Sequence, residues 1–163
     1  MERAFGVGTE PDVGDGDPGS SRDVSATVRR FAVVIEDDII VLMGLEAILR
    51  DWGYDVIAAD STEGAMERLS QAARIPDIIV SDYRLRNGRV GTEAVGRIRA
   101  LAGRPIPGII LTGEIGVECR RDAEAQGLEI VYKPVTAFVL GETIDRHLRT
   151  AEGKPAVYPD RLR

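Results

Sequence analysis

The sequence predicts an α/β domain of the three-layer, doubly wound kind, in which a parallel five-stranded sheet is covered by helices on both faces. Three observations carry that expectation. From Arg30 onward, short runs rich in Val, Ile and Leu alternate five times with stretches of helical length. The runs are continuously apolar, as strands buried on both faces require. Gly, Pro or a capping residue punctuates the units where the chain must turn.

The first strand is FAVVI, Phe31 to Ile35, followed directly by Glu36, Asp37 and Asp38. A helix runs from about Ile39 to Asp51 and stops near Gly53, since glycine readily ends helices. The second strand, Tyr54 to Ala58, is short, and its helix starts after the cap Asp60-Ser61 and reaches about Arg74. After Pro76, DIIVSD forms the third strand and ends at Asp82, and a loop through Gly88 and Gly91 leads to a helix ending near Ala102. GIILT, Gly108 to Thr112, is the fourth strand; it passes through Gly113 to a helix near Val117 to Gln126, with Gly127 as its stop. EIVY is the fifth, followed by Lys133-Pro134 and a last helix from Val135 to about Thr150. Residues 1–29, with six acids against three bases among many Gly, Asp, Pro and Ser, read as a disordered tail or linker. Residues 30–150 form the domain, 151–163 read as an irregular tail, and no internal repeat is present.

Composition removes several classes of function. A chain of 163 residues has room for one domain with a sizeable core, and with 44% hydrophobic but only 5% aromatic residues that core rests on aliphatic side chains. A net charge of −6 without clustered Lys and Arg argues against a nucleic-acid partner. No run of about 18 apolar residues exists, and no basic segment precedes an apolar one at the N-terminus, so neither a membrane span nor a signal peptide is expected. A cytoplasmic location follows as an expectation. Cys119 is the only cysteine, which excludes an internal disulfide and a thiolate metal cage; a buried thiol is its simplest role.

Ligands of doubly wound sheets bind at the carboxyl ends of the strands. Here those ends carry Glu36-Asp37, Asp82, Thr112 and Lys133. Three carboxylates, a hydroxyl and an ammonium therefore converge on one crevice. Carboxylates held close repel one another unless a cation sits between them, and a site of hard oxygen donors suits Mg²⁺. Singly, each residue has a simpler role: Asp37 and Asp38 at the positive end of the first helix, Asp82 and Thr112 as caps, Lys133 as a solvated charge. Their recurrence at the same point of successive units favours a site.

The segments VVIEDD, DIIVSDYRL, IILTG and VYKPV, in that order, closely resemble the receiver domain of two-component response regulators over about residues 30–150. The resemblance implies the flavodoxin-like (βα)5 fold with strand order 2-1-3-4-5. It also implies that Asp82 is a phosphoacceptor served by a histidine kinase or a histidine phosphotransfer protein. Asp37, Asp82, the backbone carbonyl of Arg84 and Glu36, directly or through water, would hold Mg²⁺. Thr112 would follow the phosphoryl group, Lys133 would supply its countercharge, and Asp38 fits the family's frequent third acid. Gly113 would leave the phosphoryl group accessible, and Pro134 resembles the family's cis-proline turn. The domain would catalyse its own phosphorylation and dephosphorylation without being an enzyme on other substrates. No effector domain is expected after residue 150, so the output would be a downstream protein target, or the chain a piece of something larger; self-association into a homodimer is left open.

The chain departs from the family pattern at several points. Arg86 stands where proline is frequent, in a longer RLRNGRVG loop, and Ile130 stands where many receivers carry an aromatic switch residue, with Tyr132 next to Lys133. Ile130 and the DYRLR loop look more like receivers of hybrid sensor histidine kinases. Arg84 and Glu114, two residues beyond Asp82 and Thr112, are expected to pair across the site and slow water attack on the phosphorylated aspartate. The first helix holds more apolar residues than one buried stripe needs, so Ile40 or Val41 either extends the core or docks a partner's helix bundle. His147 is read as a surface helix residue and Trp52 as a plug at the end of the first helix. A phosphorylation-independent pseudo-receiver is the alternative function. An aspartyl phosphatase would need its nucleophile after the first strand, and a nucleotide-binding fold a Gly-rich loop there.

Overall fold

The computed structural model describes residues 28–153; most of both expected tails, residues 1–27 and 154–163, lies outside the described residues. Strands β1 (Phe31–Ile35), β2 (Asp55–Ala59), β3 (Ile78–Asp82), β4 (Gly108–Thr112) and β5 (Glu129–Tyr132) form one sheet in the order β2-β1-β3-β4-β5. Every pairing is parallel. The connections are α1 (Ile39–Asp51), α2 (Thr62–Ala72), α3 (Gly91–Ala102) and α4 (Val117–Ala125), with α5 (Ala137–Ala151) closing the chain of elements. The expected doubly wound (βα)5 order is the observed one.

Strand side chains alternate between two cores, as the period of two dictates. Ala32, Val34, Val80, Ile109 and Leu111 meet Leu42, Leu45 and Leu49 of α1 and Leu140, Ile144 and Leu148 of α5. Val33, Ile35, Ile79 and Ile110 meet Leu69 of α2, Val95 and Ile98 of α3, and Cys119 and Ala123 of α4. The buried leucines of α1 recur at three and four residues, one helical stripe. Ile39, Ile40 and Met43 of the same helix are exposed, so the excess of apolar residues faces outward and does not extend the core. Trp52 caps α1 and lies against Gly141 of α5, closing the end of that layer.

Element ends differ from expectation by one or two residues, for local reasons. β2 begins at Asp55, not Tyr54, because the Tyr54 N–H bonds to the Leu49 carbonyl (3.0 Å) and finishes the α1 terminus; the ladder starts when Asp55 donates to Arg30 (2.8 Å). α2 stops at Ala72 because Ala73 takes a left-handed conformation (φ 48°), a turn usually given to glycine. α5 begins at Ala137, where the Thr136 hydroxyl accepts from the Val139 N–H (3.2 Å). Gly91, expected in a loop, is the first residue of α3. Among the described residues no helix is long and apolar enough to cross a membrane.

Candidate functional site

The parallel register brings the C-terminal ends of β1, β3, β4 and β5 to one rim. Glu36 follows β1; its N–H reaches across to Ala59 of β2 (3.1 Å), which turns its carboxylate inward to 1% exposure. Lys133 follows β5, and its N–H donates to the Thr112 carbonyl (2.8 Å). From there the Lys133 ammonium contacts Glu36 Oε2 at 2.8 Å and Asp82 Oδ1 at 2.9 Å. The Lys133–Pro134 peptide is cis. Glu36, Asp37 and Asp82 each offer a carboxylate oxygen such that all three lie within 4.8 Å of one another.

Three carboxylates against the Lys133 ammonium and the exposed Arg86 guanidinium leave the crevice with excess negative charge, and Glu36, Asp82 and Lys133 all shift upward. Burial pushes the Glu36 carboxyl above the ordinary carboxylate range; the Lys133 contact opposes this, and the Asp82 charge adds to it. Burial likewise raises Asp82, against the pull of Lys133 and with a further push from Asp37. Burial works against the Lys133 ammonium, yet its contacts with Glu36 and Asp82 outweigh that and hold its pKa above lysine's usual value. Glu36, Asp82 and Lys133 are thus all shifted toward the protonated form. A divalent cation relieves the same excess, and three hard oxygen donors fit Mg²⁺.

Thr112, at the end of β4, is 2% exposed, and its hydroxyl accepts from the Glu114 N–H (3.2 Å) rather than capping α4, whose N-cap is Gly116. A side chain at Gly113 would meet nothing within 4 Å, so approach from that side is open. Arg84 donates to Glu114 Oε2 from Nε (3.0 Å) and Nη2 (2.8 Å). Both side chains are exposed, a setting in which solvent screens such pairs strongly. His147 lies 2.8 Å from Glu129 on the flank of α5, away from the strand ends.

The family model described as response regulator receiver domain matches residues 32–145. The chain belongs to that family. Named relatives include the transcriptional regulatory protein ZraR of Escherichia coli K12, 32% identical over 117 residues, covering 71% of this receiver and 26% of that protein. The transcriptional regulatory protein PdtaR of Mycobacterium tuberculosis H37Rv is 28% identical over 155 residues, covering 88% of this chain and 72% of that protein. The receiver thus spans about a quarter of ZraR's length. Among solved structures, the chemotaxis protein CheY4 of Vibrio cholerae matches with a TM-score of 0.65 at 24% identity, covering 72% of this chain and 98% of that one. A receiver domain protein of Methanospirillum hungatei gives 0.69 at 22%, covering 77% and 98%. At these identities the two structures speak for the fold.

Four features complete this receiver's site: the first is the simpler role that the sequence left open to Asp38, and the other three were not foreseen there. Asp38 is the N-cap of α1, its carboxylate accepting from the Ile40 (2.9 Å) and Val41 (3.3 Å) N–H groups, and it lies outside the three-carboxylate group. Tyr83, next to Asp82, is buried, and its phenol donates to Asp122 of α4 (3.0 Å); burial first and that bond second push it up to about 12. Gly91 donates its N–H to the Tyr83 carbonyl (2.8 Å), and a Cβ there would overlap the Asp82 carbonyl oxygen. Arg86 donates from Nη2 to the Asp37 carbonyl (2.8 Å). Only the Gly91 signal was visible in principle, as a glycine opening a helix that has no need of one.

Proposed function

We propose that this receiver accepts a phosphoryl group on Asp82 from a histidine kinase or histidine phosphotransfer protein, in a Mg²⁺-dependent reaction, and passes the signal on through protein–protein contacts. The observation that carries this is the Lys133 ammonium bridging Glu36 and Asp82 within a group of three close carboxylates. The Glu36, Asp37 and Asp82 carboxylates, with the Arg84 carbonyl, are the groups that would hold the ion, which when bound supplies positive charge for the phosphoryl oxygens. An Asp82 carboxylate oxygen attacks phosphorus, the phosphorus–nitrogen bond of the phosphohistidine breaks, and the released imidazole takes up a proton. Lys133 neutralises charge on the transferred oxygens, Thr112 offers its hydroxyl to one of them, and Gly113 leaves the line of approach clear. The exposed Ile39, Ile40 and Met43, directly beyond the acidic segment, suit docking of an apolar helical surface of the donor.

Incubation with a small-molecule phosphoryl donor and Mg²⁺ should add one phosphoryl group by intact mass, and Asp82→Asn should add none. Incorporation by Asp82→Asn, or none by the native chain with a competent donor, would replace this function with a phosphorylation-independent interaction module. Ile40→Asp should slow transfer from a protein donor while leaving the small-molecule reaction unchanged; equal rates from the protein donor remove the docking role. Decay of the phosphorylated form should quicken about three- to ten-fold in the Arg84→Ala/Glu114→Ala double variant, because the pair covers the approach of water; unchanged decay makes the pair incidental.

A further inference from the structure

The loop between β3 and α3 delivers a second cation to the acidic crevice. Arg86 opens a 3-10 turn, Arg86–Gly88, in which Asn87 is left-handed (φ 61°) and the Arg89 N–H closes on the Arg86 carbonyl (3.3 Å). Leu85 N–H to Arg89 carbonyl (2.9 Å) and the antiparallel bridge between Arg84 and Val90 pin the base of the loop. The guanidinium is thereby carried across to β1's loop, where Nη2 donates to the Asp37 carbonyl at 2.8 Å and Nε stands 3.7 Å from Asp37 Oδ2. The two cations of the crevice differ in kind. Lys133 is mostly buried and touches Glu36 and Asp82, whereas the Arg86 side chain is 68% exposed and meets Asp37, the most accessible of the three carboxylates.

Resting on the function proposed above, we infer that Arg86 is a built-in competitor for the divalent cation: its guanidinium neutralises Asp37 until the metal displaces it, and so sets the cation concentration at which the crevice loads. A guanidinium beside a carboxylate ligand lowers the charge that the incoming ion meets and repels the ion itself. Because the arginine is exposed and tied to Asp37 by one backbone bond and one longer ionic contact, it can swing to solvent without unfolding anything. Its effect is therefore graded rather than blocking. An exposed pair of this kind changes the dissociation constant by about three- to five-fold.

Direct binding of Mn²⁺ to the full chain, followed by electron paramagnetic resonance, with Mg²⁺ in competition, reads this out without any phosphorylation. Arg86→Gln, which keeps a donor for the Asp37 carbonyl but loses the charge, should bind about three- to five-fold more tightly than the native chain at low ionic strength. Arg86→Lys should stay within two-fold of native, and the glutamine advantage should shrink in half-molar potassium chloride, where exposed charges are screened. Glutamine binding no tighter than native overturns the competitor role and leaves Arg86 as a tether between two loops. Absence of Mn²⁺ binding by the native chain overturns both this role and the metal-dependent function, which separates the two failures.

Discussion

Replacing Gly91 with alanine should lower the folding stability of the domain by about 3 kcal/mol and its melting temperature by about 10 °C. Gly91 is buried at the first position of α3; besides overlapping the Asp82 carbonyl oxygen, a Cβ there would sit 2.5 Å from Ser81 Oγ and 3.0 Å from the Asp82 carbonyl carbon. Two of these atoms are backbone in the central strand, so relief requires moving the start of α3 away from β3 and stretching the Gly91 N–H bond to the Tyr83 carbonyl. Overpacking against a flexible side chain is cheaper than this. The same substitution at Gly44 supplies the contrast. Gly44 is exposed in the middle of α1, a Cβ there meets nothing within 4 Å, and alanine should gain about 0.5–1 kcal/mol from better helix propensity. Thermal unfolding of the two variants followed by circular dichroism decides the matter: a Gly91→Ala melting temperature within a degree of native would show that β3 and α3 separate more easily than their packing indicates.

Lys133→Met should cut phosphoryl incorporation by about two to three orders of magnitude, the range associated with losing one preorganised charge-stabilising group. It also removes the ammonium that, among the described residues, touches Glu36 and Asp82. Breaking a buried pair usually costs about 3–5 kcal/mol; because the lysine side chain is 28% exposed, about 2–3 kcal/mol is expected in the presence of a chelator. Millimolar Mg²⁺ should then stabilise the variant more than it stabilises the native chain, since the crevice has lost a competing positive charge. Denaturant titrations of both proteins with and without Mg²⁺ measure this directly. An equal Mg²⁺ increment in the two would mean that Lys133 and the ion do not share the carboxylates.

The parts of the molecule legible in its sequence are those governed by period and position. Continuous apolar runs such as FAVVI and GIILT admit few structures other than a doubly covered parallel strand, and the residue after each run then falls on a single rim. Glu36, Asp82, Thr112 and Lys133 were therefore identifiable as neighbours, although 97 residues separate the two that touch most closely. What was not legible depends on side-chain reach and on loops. For Asp38 the sequence left two roles open, a third acid of the site and a partner of the positive end of α1, and only its reach to the Ile40 and Val41 N–H groups decides between them. Arg86 lies 49 positions from Asp37 and meets it only because a left-handed Asn87 turns the loop back, a conformation that no periodicity encodes. The bond from Tyr83 to Asp122 depends on the separation of β3 and α4, a distance that follows from the packed layers.

Lys133 joins the last strand to the first, third and fourth: its N–H holds the Thr112 carbonyl while its ammonium holds Glu36 and Asp82. The crevice therefore gains its ammonium only when β5 has docked beside β4. A chain that has paired β2, β1 and β3 but not β5 presents three close carboxylates that repel and lack the Lys133 counterion. Under the function proposed above, competence to react would report on folding, being available to a phosphodonor only once the edge strand has docked.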